Sequence, residues 1–287
     1  MAFYILQALN GLAYSMLLFL LAAGLSLIFG LMDIVNLAHG GFYLLGAYLG
    51  LSFVRWTGSF WVAVITVPLL TAAGGFLLEW EFLRPLYRRT HLDQILLTFG
   101  FAFVLTDVTR WLWGPAVQSM APPGGLDQSL AMMGTRFPAY RLFVIALGGA
   151  VALGLWAVLS RTRLGMIVRA AVADKEMLEG LGINVNTVFT GVFAFGAALA
   201  GLAGVIATPI EGVFPGVDFE TLIVTLIVVV VGGLGTLSGS FWGSLLIGEA
   251  ETFGKTLLPQ LALVVIYLVM AVVIIVRPAG LFGHRGR

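Results

Sequence analysis

Apolar runs of about twenty residues recur along almost the whole of this 287-residue chain. A hydrocarbon core roughly 30 Å thick is crossed by about 20 helical residues. Inside that core each backbone N–H and C=O has to be paired within the protein, so such runs must be helical. Runs bounded by charge, Pro or Gly fall at about 5–29, 37–55, 60–82, 94–113, 140–160, 188–208, 221–237, 241–256 and 260–276. The expected fold class is all-α: a polytopic membrane protein of eight or nine transmembrane helices, some broken or re-entrant. The second, seventh and eighth runs are short or Gly-broken and are the candidates for re-entry. Residues 1–287 read as a single transmembrane domain with a segment at about 161–187 outside the bilayer.

Composition agrees. Charged residues make up 10% of the chain, against about 25% in soluble domains, and the mean hydropathy is +1.04. Too few charges remain to cover a water-facing surface, so the bilayer is an expected partner. A net charge of +1 gives nucleic-acid binding no electrostatic support. The absence of cysteine excludes disulfides and cysteine metal sites. The first run is too long for a signal-peptide core and lacks a basic flank, so it reads as a retained helix.

Lys and Arg set the orientation. Arg84, Arg88 and Arg89 share one loop; Arg161, Arg163, Arg169 and Lys175 share another; Arg277, Arg285 and Arg287 close the chain. With nine spans all ten fall on one side, which predicts a cytoplasmic C-terminus. Arg55, Arg110, Arg136, Arg141 and Lys255 fall at or near the opposite face. Nine spans put the N-terminus outside, eight put it inside.

Two loops are long. Residues 114–139, with Pro115, Pro122, Pro123, Gly124, Gly125 and Pro138, predict an irregular external loop. Residues 161–187 differ: Ala170, Ala171, Ala173, Lys175, Glu176, Met177 and Leu178 are helix formers. Ile167, Ala171, Asp174 and Leu178 recur at helical spacing. Gly180 and Gly182 end the pattern, so a short cytoplasmic helix is expected.

Nucleotide motifs fail on spacing. In Gly248–Thr256, GEAETFGKT, five residues separate the glycines where a P-loop needs four. In Thr221–Gly239 the spacing of Gly233, Gly235 and Gly239 is one residue too long for a dinucleotide loop. That stretch reads as a β-branched membrane helix ending in a tight turn. No pair among His39, His91 and His284 has metal-ligand spacing. Neither a catalytic nor a metal site is expected.

His39 lies in NLAHGGF between two apolar runs. It reads either as a hydrogen-bonded helix-end residue or, with Asn36, as part of a pathway, because polar groups at membrane depth need partners or water. The tetrad His39–Phe42 is echoed by Ser238–Phe241, each beside a Gly break. Paired Gly-interrupted segments in two halves of a transporter point to its pathway. The expected lining is therefore Asn36, His39, Phe42, Tyr43, Thr236, Ser238 and Ser240. Carboxylates inside the runs are few, Asp33, Asp107, Glu249 and Glu251, and all are placed near run ends. Ion-coupled carriers place coupling carboxylates deep in the membrane, so the driving energy is expected from elsewhere. The small residues of GAALAGLAG, Gly196–Gly204, read as helix-packing contacts.

Four stretches resemble the LivH-type permease of branched-chain amino-acid ABC importers. They are Leu6–Tyr48, then Arg169–Val185 with Ala194–Val205, then VVGGLGTLSGSFWGSLLIG at Val230–Gly248, and RPAGLFG at Arg277–Gly283. They run in family order from near the first residue to the last. The resemblance implies a bacterial inner-membrane permease subunit that forms half of a pathway for branched-chain or related amino acids. It implies as partners a second related permease, two cytoplasmic ATPase subunits and a periplasmic substrate-binding protein. The chain would then be no enzyme and hold no cofactor, ATP-Mg being bound by the partner ATPases. It also implies an ATPase-coupling helix carried by Arg169, Ala170, Asp174, Glu176, Gly182, Ile183 and Asn184. On that reading Gly182→Arg wedges the docking surface without hindering insertion. A passive channel or an ion-coupled carrier for a small neutral solute are the alternatives. The Gly-broken segments suit a channel, but a channel has no need of a cytoplasmic docking helix.

Overall fold

The computed structural model describes residues 2–132 and 134–283; His284, Arg285 and Arg287 lie outside the described residues. Among the described residues eleven α-helices form: α1 Ala2–Met32, α2 Ala38–Thr57, α3 Phe60–Leu77, α4 His91–Trp113, α5 Ala139–Arg161, α6 Arg163–Ala173, α7 Lys175–Gly180, α8 Val185–Glu211, α9 Val217–Gly232, α10 Leu237–Leu257 and α11 Ala262–Val276. α3 continues through a π-helical stretch, Leu78–Leu83, and a 3-10 turn, Arg84–Leu86. The long loop is less irregular than its Pro and Gly content predicts: an antiparallel hairpin, β1 Ser129–Met132 and β2 Thr135–Pro138, closes it.

The all-α class holds, but the count of eight or nine complete spans does not follow from helix length and apolarity. Among the described residues five single helical segments are long and apolar enough to cross a bilayer: α1, α3 with its extension to Leu86, α4, α5 and α8. α9 and α10 pass only as a pair, bent by 118° at their junction. α2 is not among the helices that pass alone, and α11 has 15 residues. The second, seventh and eighth apolar runs correspond to α2, α9 and α10.

Contacts give the helix directions. α1 runs parallel to α5, with Asn10 at Arg141 and Met16 against Gly148. It runs antiparallel to α10, where Ser15 donates to the Leu245 carbonyl and Ser26 to the Thr236 carbonyl. The bundle thus has a hairpin end and an α6–α7 end. Tyr87 packs on Phe189 at 5.4 Å, and Leu281 and Phe282 donate backbone hydrogen bonds to Val231 and Gly232. Both contacts bring the Arg84–Arg89 and Arg277 segments to the α6–α7 end. Arg55 bonds Gln118 and Arg141 bonds Asn10 at the hairpin end.

Two helices begin inside the bundle. After α1, Asp33 takes φ 58 in the left-handed region, and the chain doubles back until His39 Nε2 lies 3.0 Å from the Leu21 carbonyl. α2 therefore starts about three turns, or roughly 16 Å, back from the end of α1. From the opposite end, Gly212 stops α8, and α9 starts where Asp218 meets Thr106. That point lies about two turns short of the end of α4. At its roughly 24 Å length α9 is shorter than the hydrocarbon core. The first turns of α2 and α9 touch: a Cβ on Gly40 would sit 2.5 Å from the Asp218 carbonyl and 3.1 Å from Leu222 Cβ. Only glycine permits that approach.

The π-helical stretch turns Glu79 into the interior, where it is fully buried. The Tyr87 hydroxyl donates to Glu79 Oε1, while Oε2 has no partner. Leaving a buried polar group without its hydrogen-bond partner costs about 1–3 kcal/mol. Tyr87→Phe is therefore expected to lower the thermal unfolding midpoint of the purified protein measurably. An unchanged midpoint would mean that water satisfies Glu79.

Candidate functional site

The expected pathway residues fall into two groups that meet across α1. Asn36, in the stretch between α1 and α2, accepts from the N–H of Ala38, the first residue of α2, at 3.1 Å. Its Nδ2 is buried without a partner, as is His39 Nδ1. His39 bonds the Leu21 carbonyl, and Ser240, near the start of α10, donates to the carbonyl of the next residue, Ala22, at 3.3 Å. The His39/Ser238 sequence echo thus corresponds to two helix beginnings packed on one stretch of α1. Thr236 bonds the Gly233 carbonyl within the α9–α10 turn, and Ser238 is exposed.

Phe42 and Tyr43 lie in the packed core, Phe42 edge-to-face with Phe193 at 6.4 Å. The Tyr43 side chain lies near Glu211 and Thr221. The structure therefore packs Asn36, His39, Phe42, Tyr43 and Ser240 into the interior of one chain. The rejected nucleotide motifs also resolve: Gly248–Thr256 is continuous helix, and Thr221–Gly239 is α9 followed by a turn with Gly233 and Gly235 at positive φ.

Sequence reasoning missed the interior carboxylates. Asp218 is buried in the first turn of α9, accepting from Thr106 Oγ1 and Gly216 N–H at 2.5 and 3.0 Å. The positive end of the helix favours an acid there. The signal was present in the sequence, because Asp218 and Glu220 open an apolar run. Glu251, read as a run-end residue, is 6% exposed. Its Oε1 pairs with Lys255 at 2.6 Å, one turn along α10. It borders a cavity of about 230 Å³ at the hairpin end, lined by α1, α5, α8 and α10.

The 161–187 segment forms two short helices where one was expected. Asp174 divides them: its extended backbone ends α6 and its side chain caps α7, accepting from Met177 N–H at 2.9 Å. Thr162 caps α6 and Asn184 caps α8 in the same way. Three N-caps within one segment make a compact knob tied directly to α5 and α8. Ala171 and Leu178 are buried, Ile183 packs on the core, and Arg169, Ala170 and Glu176 are exposed. Gly182 takes φ +83 in the turn after α7. Arginine at that position strains the backbone, so Gly182→Arg does not test docking separately from folding.

Comparison with known proteins gives a consistent picture. Residues 7–274 match the family described as branched-chain amino acid transport system / permease component. The chain is 29% identical to the high-affinity branched-chain amino acid transport system permease protein BraD of Pseudomonas aeruginosa, covering 98% of this chain and 96% of that protein. It is 26% identical to the corresponding LivH of Salmonella typhimurium, again over 98% and 96%. The LivM permease protein of Escherichia coli is 28% identical, over 93% of this chain and 68% of its own length.

Proposed function

From the premise that the chain belongs to the branched-chain amino acid transport system permease family, we propose that it forms half of an ATP-driven inward pathway for branched-chain or related amino acids. The other half is a second, related permease of the LivM kind. Two ATPase subunits bind ATP-Mg and engage the α6–α7 knob, and a periplasmic substrate-binding protein delivers solute at the hairpin end.

The observation that carries this reading is the knob itself. Leu164, Met166, Met177 and Leu181 are exposed there, on a segment rich in charge. An exposed apolar patch rimmed by polar residues marks a protein contact, and a rigid capped helix transmits a push to α5 and α8. On this reading the α6–α7 end and Arg277 face the cytoplasm, which the clustering of Lys and Arg supports. On the same reading Asn36, His39, Phe42, Tyr43, Thr236, Ser238 and Ser240 lie along the moving part of the pathway. The knob role falls to Arg169, Ala170, Asp174, Glu176, Gly182, Ile183 and Asn184, of which Asp174 and Asn184 act as caps.

The test is uptake by proteoliposomes holding the chain with its partner permease and ATPases. Radiolabelled leucine, isoleucine or valine should accumulate only with a loaded binding protein on one side and ATP on the α6–α7 side. Accumulation without ATP would favour a channel and overturn the reading.

A further inference from the structure

The cavity at the hairpin end has a chemistry that packing alone does not explain. α1 forms part of the lining, with Asn10 half-buried and Ala13 and Leu17 buried. Arg141 enters from the start of α5, Glu211 from the end of α8, and Glu251 from α10. With Lys255, charged and aliphatic side chains share the lining.

Lys255, which also lines the cavity, pairs with Glu251 Oε1 at 2.6 Å and leaves over the second oxygen of that carboxylate. Glu251 is buried, yet its Oε2 has no hydrogen-bond partner. A buried carboxylate oxygen without a donor is rare and calls for an explanation. Arg141 is oriented by Asn10 Oδ1, and Asn10 is itself held by Gln7 at 3.0 Å. Among the described residues no carboxylate comes within ion-pair distance of Arg141. An oriented guanidinium and an unsatisfied carboxylate oxygen thus border one cavity of about 230 Å³ beside aliphatic side chains. That volume lies below the roughly 300–1,000 Å³ of clefts for drug-sized ligands.

We propose that this cavity binds a free α-amino acid zwitterion with an aliphatic side chain. Glu251 accepts from the α-ammonium, Arg141 donates to the α-carboxylate, and Ala13 and Leu17 receive the side chain. A planar guanidinium matches a carboxylate in two parallel hydrogen bonds, and an ammonium supplies the donor that Oε2 lacks. The site lies within one permease chain. The inference rests on reading the chain as an amino-acid permease.

The test measures radiolabelled L-leucine binding to the assembled transporter in nanodiscs, with the binding protein omitted. The competitors are N-acetyl-L-leucine, which lacks the ammonium, and L-leucinamide, which lacks the carboxylate. The wild type should prefer leucine to either analogue by roughly tenfold or more, the scale of one charge-assisted hydrogen bond. Glu251→Gln should lose discrimination against N-acetyl-L-leucine and keep it against L-leucinamide. Arg141→Gln should do the reverse. A packing role cannot produce that crossed pattern.

Absence of leucine binding by the wild type would overturn the inference. So would unchanged discrimination in both variants, or loss of both discriminations together in either one. If binding-protein-driven uptake persists in those cases, only this site falls; if uptake is absent as well, the functional reading falls with it.

Discussion

Replacing Met177 and Leu181 together by aspartate is expected to reduce ATP-driven uptake roughly tenfold or more, with folded permease staying within about twofold of wild type. The physical case rests on which side chains of the knob are committed to the bundle. Leu178 is buried and anchors α7 to the core, whereas Met177 and Leu181 are 65% and 71% exposed. Both positions are exposed on the isolated chain, so aspartate there disturbs no internal packing. A central apolar contact in a protein interface contributes about 2 kcal/mol or more. Two buried, unpaired carboxylates would add a desolvation penalty. The variant keeps the Asp174 cap and leaves Gly182 untouched, so it avoids the positive-φ strain that Gly182→Arg introduces. Co-purification of the ATPases and uptake are measured on the same preparation. Wild-type uptake from a variant of normal abundance would remove the docking assignment.

Gly204→Val is expected to abolish most of the folded protein, whereas Gly191→Val in the same helix should be tolerated. At Gly204 an added Cβ meets the Tyr43 carbonyl and lies 2.7 Å from Ala47 N, both backbone atoms of α2. Backbone cannot rotate away as a side chain can, so α2 and α8 must separate. The same crossing brings Gly46 onto Gly201, with a Cβ on Gly46 2.5 Å from Gly201 Cα. Overpacking a tight core costs typically about 1–3 kcal/mol and more where nothing can relax. In a bilayer the loss is not offset elsewhere, because helix association there depends on close packing. At Gly191 an added Cβ meets nothing within 4 Å. Detergent-solubilised yield and unfolding temperature of the two variants make the comparison. Equal behaviour would show that α2 and α8 cross with room for a side chain between them.

Several features were legible residue by residue. Hydropathy located every long helix, because backbone pairing in a dry core leaves no other regular structure for an isolated run. The three Lys and Arg clusters predicted one common side, and the structure brings their described members Arg84–Arg89, Arg161–Lys175 and Arg277 to one end. Helix-forming residues between Arg163 and Leu178 located the knob, although the cap chemistry of Asp174 was read as part of a stripe. The glycines of Gly196–Gly204 were read as packing contacts, and Gly196, Gly201 and Gly204 lie against Gly24, Gly46 and Tyr43.

By itself, then, the sequence determined that the chain is helical, where its helices lie and which ends share a side, since each of these depends on the solvent preference of consecutive residues. Only the tertiary structure decided that α2 and α9 begin inside the bundle, because a chain reversal of five residues at Asp33 or Gly212 leaves no trace in hydropathy. It alone decided that His39 and Ser240 meet neighbouring carbonyls of α1. It also decided that Asn10, Arg141 and Glu251, far apart in the chain, border one cavity. Those pairings depend on which helix faces which across long separations, and periodicity along a single run carries no record of the partner it packs against.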